Sequence, residues 1–139
     1  MATTIRAELS EKNKYWIDKH RYYELKHFCL QYPIWKRAYT AIDGLLRGYS
    51  DLASYRNTNI HSDSTAKCVE KMSYYSERME LVEKAAHSAD PELANYILKG
   101  VTEELSYTYL KTRLEIPCGR DMYYDRYRRF FWLLNKTRQ

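Results

Sequence analysis

The chain has 139 residues, 45% of them apolar, so it can form one domain with a real core, or a helical body carrying a small module. Four glycines and three prolines leave little room for long loops or a turn-rich β fold. The net charge is +5, and all of it lies in the last 29 residues: positions 111–139 hold eight Lys/Arg against three Asp/Glu, whereas positions 1–110 hold fifteen of each sign. A compact positive end on a neutral body points to a polyanionic partner. The amino terminus shows no apolar run of the signal-peptide kind, and no window approaches the roughly 18 consecutive apolar residues of a membrane span, so a cytoplasmic protein is expected. Cys29, Cys68 and Cys118 lie far apart, which suits a reducing compartment and argues against a disulfide framework or a zinc site. The fifteen tyrosines suit surfaces that pack yet stay wettable, whether at interfaces or at the edge of an ordinary core.

Residues 1–14 are polar and without strong periodicity, and read as a loose arm. Tyr22, Leu25 and Phe28/Cys29 recur at helical spacing from about Lys19 to Gln31, with Asp18 placed to cap the start. Tyr32-Pro33 breaks that helix, and Pro33 is suited to open the next, over 33–47, on Ile34, Ala38, Ile42 and Leu45/Leu46. This predicts an antiparallel hairpin. Gly48 to His61 has no sustained period and reads as a surface linker. Ser62/Asp63 then cap a long helix to about residue 87, with Cys68, Met72, Tyr75, Met79, Val82 and Ala86 alternating four and three apart. That heptad-like seam either packs within the body or pairs with a second copy. Asp90-Pro91 marks a restart, with a helix over 91–105 burying Leu93/Ala94, Ile97/Leu98, Val101 and Leu105. Ser106 caps a short helix, Tyr107 to Leu114, and Pro117 and Gly119 form a break. The last helix runs from about Arg120 to Lys136 on the stripe Tyr123, Tyr127, Phe130/Phe131, Leu134. No segment alternates like a strand, so the expected class is all-α: a helical body over 15–105 and a helix-turn-helix region over 106–139.

Three helices joined by short breaks, the last one basic, have the composition of a helix-turn-helix unit. In such a unit the short helix buttresses the last one, whose first turns enter the major groove. The candidate DNA-binding residues are Lys111, Arg113, Arg120, Tyr124, Arg126, Arg128 and Arg129. Arginine pairs bidentately with guanine or with phosphate oxygens, and Lys111 and Arg113 would sit near flanking phosphates. The plainer alternative is a solvated face in which Arg126 and Arg129 pair with Asp125 or with glutamates of the body. Asp121 and Asp125 interrupt the positive face, and Asp121 is suited to stabilise its own helix start. The four histidines are scattered, and His20 and His27 share a helix face without a visible third ligand. With no P-loop, glycine-rich phosphate cradle or nucleophile elbow, neither enzymatic activity nor a cofactor is expected.

Read in order, these features resemble the RinA/ArpU-type late transcriptional regulators of phages and prophages of Gram-positive bacteria. The likeness rests on Leu25, Cys29 and Tyr32-Pro33-x-Trp35, then Ser64-Thr-Ala and Val69 opening a long helix with Arg78. It continues through Pro91-Glu and Tyr96-Ile97 to the carboxy-terminal region, which is similar to region 4 of sigma factors. The family's recognition helix opens on Ser-(Asp/Glu)-Arg-Thr; here the run is Gly119-Arg120-Asp121-Met122-Tyr123-Tyr124-Asp125-Arg126, without the capping Ser and the Thr. The resemblance implies a protein that binds promoter DNA of late genes and switches on their transcription by host RNA polymerase. DNA binding carries over to Arg126, Arg128 and Arg129.

The leading expectation is therefore a small all-α DNA-binding regulator, acting as a homodimer on double-stranded DNA in the bacterial cytoplasm. One alternative is a small terminase-like packaging subunit. Another is a protein-interaction module whose tyrosine-rich stretch, Tyr15 to Tyr39, engages a host factor.

Overall fold

The computed structural model describes residues 11–53 and 62–139, and among these the chain is all-α, with six helices and no strand. In chain order these are α1 (Lys19–Leu30), α2 (Tyr32–Ala53), α3 (Ser62–Ala89), α4 (Ala94–Glu103), α5 (Tyr107–Leu114) and α6 (Arg120–Thr137). No described helix is long and apolar enough to cross a membrane. The reading of residues 1–14 as an arm lies mostly outside the described residues. Of its last part, Asn13 closes a turn: its Oδ1 accepts from the Tyr15 N–H at 2.8 Å and its carbonyl from the Trp16 N–H at 3.0 Å.

The local signals for α1 act as anticipated. The Asp18 carboxylate accepts from the His20 N–H at 3.0 Å, and the buried residues are Tyr22, Leu25, Phe28 and Cys29. Only Gln31 separates α1 from α2, and Pro33 falls in the first turn of α2, where a missing N–H costs no helical bond. The linker expected from Gly48 is corrected over 48–53, because α2 continues to Ala53. One isolated glycine costs a helix only about 1 kcal/mol, less than a run of apolar positions three and four apart supplies. The rest of that linker, 54–61, lies outside the described residues. Pro91 is not the first residue of α4. The Asp90 Oδ1 accepts from the N–H groups of Glu92 and Leu93 at 2.9 and 3.2 Å, which forms a turn before the helix opens at Ala94.

The chain divides into two units. The first takes residues up to Tyr32 together with Leu81–Gln139, so α5 and α6 belong to the same body as α1 and α4. In it α4 packs on α1, α5 and α6, and α1 packs on α6. Tyr22, Leu25, Cys29, Val82, Ile97, Leu110, Phe130, Phe131 and Leu134 have no exposed surface. Full burial of each aliphatic or phenyl side chain is worth roughly 1.5–3 kcal/mol against its desolvation reference. The polar ends of the aromatic core are tied: the Tyr22 and Tyr127 hydroxyls share a hydrogen bond of 2.7 Å, and Tyr22 meets Phe131 edge-on at 4.9 Å. Tyr32 donates to the Glu83 carboxylate at 2.5 Å, and burial, then that bond, pushes its phenol well up. At Gly100 the α4 backbone comes so close to α6 that any Cβ would collide with the Tyr123 hydroxyl.

The second unit, Pro33–Glu80, takes the rest of α2 and the first two-thirds of α3. Of its described apolar residues Trp35 is buried, whereas Ile34, Leu45, Val69 and Tyr74 stand exposed. The long seam of α3 is thereby split. Val82, Ala86 and Ala89 are buried in the first unit, while Cys68, Met72, Tyr75 and Met79 are half-buried.

Candidate nucleic-acid interface

The basic surface begins at α5. The Ser106 Oγ accepts from the Tyr109 N–H at 3.1 Å, capping the helix as its position in the sequence suggests. Tyr107 and Leu110 turn inward, leaving Thr108, Lys111, Thr112 and Arg113 exposed. The break that follows is held at three points. Ile116 is buried, its N–H donates to the Leu110 carbonyl at 3.1 Å, and the Tyr107 hydroxyl donates to the Cys118 carbonyl at 2.7 Å. These contacts fix where α6 starts relative to α5.

Gly119 precedes α6 and supplies no side-chain cap, so the first-turn N–H groups of the helix have no capping side chain. Arg120 stands at this end. Its guanidinium lies 5.3 Å from the Tyr107 ring centroid, and one of its nitrogens donates to the Thr108 Oγ1 at 3.3 Å. Lys111 sits one turn beyond Thr108 and close enough to the break to act on Cys118. Burial and then Asp90 push the Cys118 thiol up, while Lys111 and Arg126 pull it down. Cations on two helices therefore flank an open helix start, a combination suited to an anion. Asp121 and Glu115 are exposed in the same stretch and subtract from its charge.

The arginines of α6 have different surroundings. Arg126 is committed within the molecule: its Nε donates to the Asp90 Oδ2 at 3.0 Å, and a terminal nitrogen pairs with Asp125. Asp90 is 13% exposed, so this contact ties the α3–α4 turn to α6 and holds the Arg126 guanidinium even more firmly charged. Asp125 is neutralised by the same arginine. Arg128 and Arg129 are half-exposed, form no ion pair among the described residues, and each has a buried Nε without a hydrogen-bond partner. Tyr124 is half-buried, with its ring edge-on to Tyr123 at 5.2 Å and to Tyr127 at 6.0 Å.

The far half of α6 is a docking element. Trp132 meets Tyr15 edge-on at 5.6 Å, with the Lys136 ammonium 3.5 Å from the Trp132 ring centroid. Arg21 donates to the Asn135 Oδ1 at 2.6 Å and to the Arg138 carbonyl at 3.2 Å, while Arg138 stacks on Phe28 at 3.8 Å. Arg138 thus belongs to the packing of the body, while Lys136 is exposed and covers the Trp132 ring. Nothing local in the sequence marks Arg126–Asp90 or Arg21–Asn135, whose partners lie 36 and 114 residues apart. Among the described residues no three His, Cys, Asp or Glu side chains group as metal ligands, and His20 and His27 are both exposed.

No family model matches the chain, and neither does any curated protein or solved structure.

Proposed function

We propose that this protein binds double-stranded DNA through α5, the following break and the start of α6, and acts as a transcription regulator of the phage late-gene kind. The observation that carries the reading is Arg120 exposed at the uncapped start of α6, with Lys111 and Arg113 exposed on α5 just before the break. Such an end holds a phosphate by backbone N–H groups and helix dipole together, and the neighbouring cations extend the hold along the strand. Arg128 and Arg129 add two cations farther along the helix. Counting these five against Glu115 and Asp121 leaves +3, and Arg126 with its two partners Asp90 and Asp125 sums to −1, so the surface carries +2. In this reading α5 and α6 are the two helices of the helix-turn-helix, Tyr123, Phe130, Phe131 and Leu134 hold α6 on the body, and Arg126 is a strut. The assignment to late-gene control rests on the resemblance to RinA/ArpU-type regulators.

The test is a salt titration of binding to duplex DNA. If five cations meet phosphates, log K should fall with log salt at a slope of about −4.5, and Lys111→Ala, Arg113→Ala and Arg120→Ala together should flatten it to about −1.8. Arg126→Gln should leave the slope unchanged. A wild-type response that is flat, or a triple variant with the full slope, would overturn the assignment.

A further inference from the structure

We propose that Asp121 sets the sequence preference of the DNA surface by accepting a hydrogen bond from the amino group of a cytosine in the major groove. The inference rests on the reading of α5 and α6 as a helix-turn-helix and adds which base α6 selects. It starts from the order of charges along α6. A cation opens the helix at Arg120, acids follow at Asp121 and Asp125, and cations return at Arg126, Arg128 and Arg129. Asp125 is held by Arg126. Asp121 is exposed, and among the described residues no side-chain hydrogen bond or ion pair engages its carboxylate. It is therefore the free acid of α6, set in a surface that otherwise suits phosphates.

Spacing decides where that acid lies against a duplex. Arg120 and Arg128 are eight residues apart, about 12 Å along a helix, and the major groove is roughly 12 Å wide. Cations at those two ends meet phosphates of the two strands, and the side chains between them meet base edges. Arg120 leans on α5, 5.3 Å from the Tyr107 ring centroid and 3.3 Å from the Thr108 Oγ1. Asp121 stands seven residues before Arg128, so two helical turns put both on one line of α6. The buried residues Tyr123, Phe130, Phe131 and Leu134 occupy the opposite side. Phosphates only repel a carboxylate, so a duplex favours Asp121 solely where a donor is within reach. The major-groove edge offers two, the amino groups of adenine and cytosine. Adenine sets its amino group beside its own N7 acceptor, which repels a carboxylate. Cytosine presents the amino group as its one polar group there, and is the base that fits. An acid that serves only the dipole of its own helix start affects helix stability and leaves base preference untouched.

Selection of bound sequences from random duplexes with the full chain, followed by titration of single-base variants of the selected site, tests the assignment. The wild type should retain a C·G pair at one position and prefer it to the other three pairs by roughly 10-fold or more. Asp121→Ala should reduce that preference to about 2-fold or less, since no acceptor then reaches the base. Its binding to mixed-sequence duplex at low salt should rise roughly 2- to 5-fold, because one repulsive charge is gone. Glu115→Gln removes the same charge just before the break, and should raise affinity while leaving the base preference intact. A wild type that binds duplex without a preferred C·G pair, or a preference that survives Asp121→Ala, overturns this inference and leaves the DNA reading standing. If Asp121→Ala loses binding to every duplex, the carboxylate serves the helix rather than a base, and the inference fails. A wild type that binds no duplex overturns both.

Discussion

The body and the Pro33–Glu80 unit use the same apolar spacing and finish in opposite states. In the body, residues three and four apart on α1, α4 and α6 interlock into a dry centre where Leu25, Ile97 and Phe131 have no exposed surface. In the other unit the same spacing on α2 and early α3 leaves Ile34, Leu45, Val69 and Tyr74 in water. Periodicity specifies a helix and the face it must cover, but not what covers it. In the body three or more helices converge, whereas the described residues of the other unit supply parts of two, α2 and α3. The basic surface belongs to the packed unit, as a rigid docking element requires.

The sharpest way to break this contrast is to truncate side chains in both units and compare urea unfolding. Leu25→Ala or Ile97→Ala should cost about 2–5 kcal/mol, a large share of the roughly 5–15 kcal/mol that holds a domain together. Leu45→Ala, at a position 49% exposed, should cost less than about 0.5 kcal/mol. Equal costs would mean that the second unit is as well packed as the first.

A second test probes how closely α4 and α6 meet. Gly100→Ala places a methyl against the Tyr123 hydroxyl, itself buried without a hydrogen-bond partner, and should cost about 1–3 kcal/mol. Tyr123→Phe alone should be neutral or slightly stabilising, since it removes an unsatisfied polar atom. Combined, the two should recover most of the loss. Strict additivity would show that the contact at Gly100 is not what makes the glycine necessary.

Much of the fold was legible because its signals are local. Asp18 and Ser106 cap the helices they precede, and the stripe from Tyr123 to Leu134 identifies the buried side of α6. The course of α2 beyond Gly48 was not legible, because small and polar residues weaken a helical pattern without forbidding a helix. At the candidate site, the exposed positions of Lys111, Arg113 and Arg120 follow from the faces that Tyr107, Leu110 and Tyr123 turn inward. The sequence offers the commitment of Arg126 as one alternative, with Asp125 or a glutamate as partner. Asp90 has the sequence position of a helix cap, and its second oxygen reaches Arg126 only once α3, α4 and α6 are assembled.

The last prediction concerns strain that, among the described residues, lies in the packed unit. Among the described residues, Glu104 and Glu115 are the non-glycine residues with positive φ, at 55° and 56°, and both end helices of the body. A left-handed conformation costs a residue with a Cβ roughly 1–2 kcal/mol, and glycine almost nothing. Glu104 also lies 3.5 Å from Lys26, so its replacement would mix two effects. Glu115 has no ion pair among the described residues and is the cleaner site. Glu115→Gly should stabilise the chain by about 0.5–1 kcal/mol in urea unfolding, less than the full conformational cost because glycine also frees the unfolded chain. It also removes an acid two residues from Arg113, so DNA affinity at low salt should rise modestly if the proposed surface meets phosphates. A gain in stability with no change in affinity would keep the strained helix end and move the DNA contact away from the α5–α6 break.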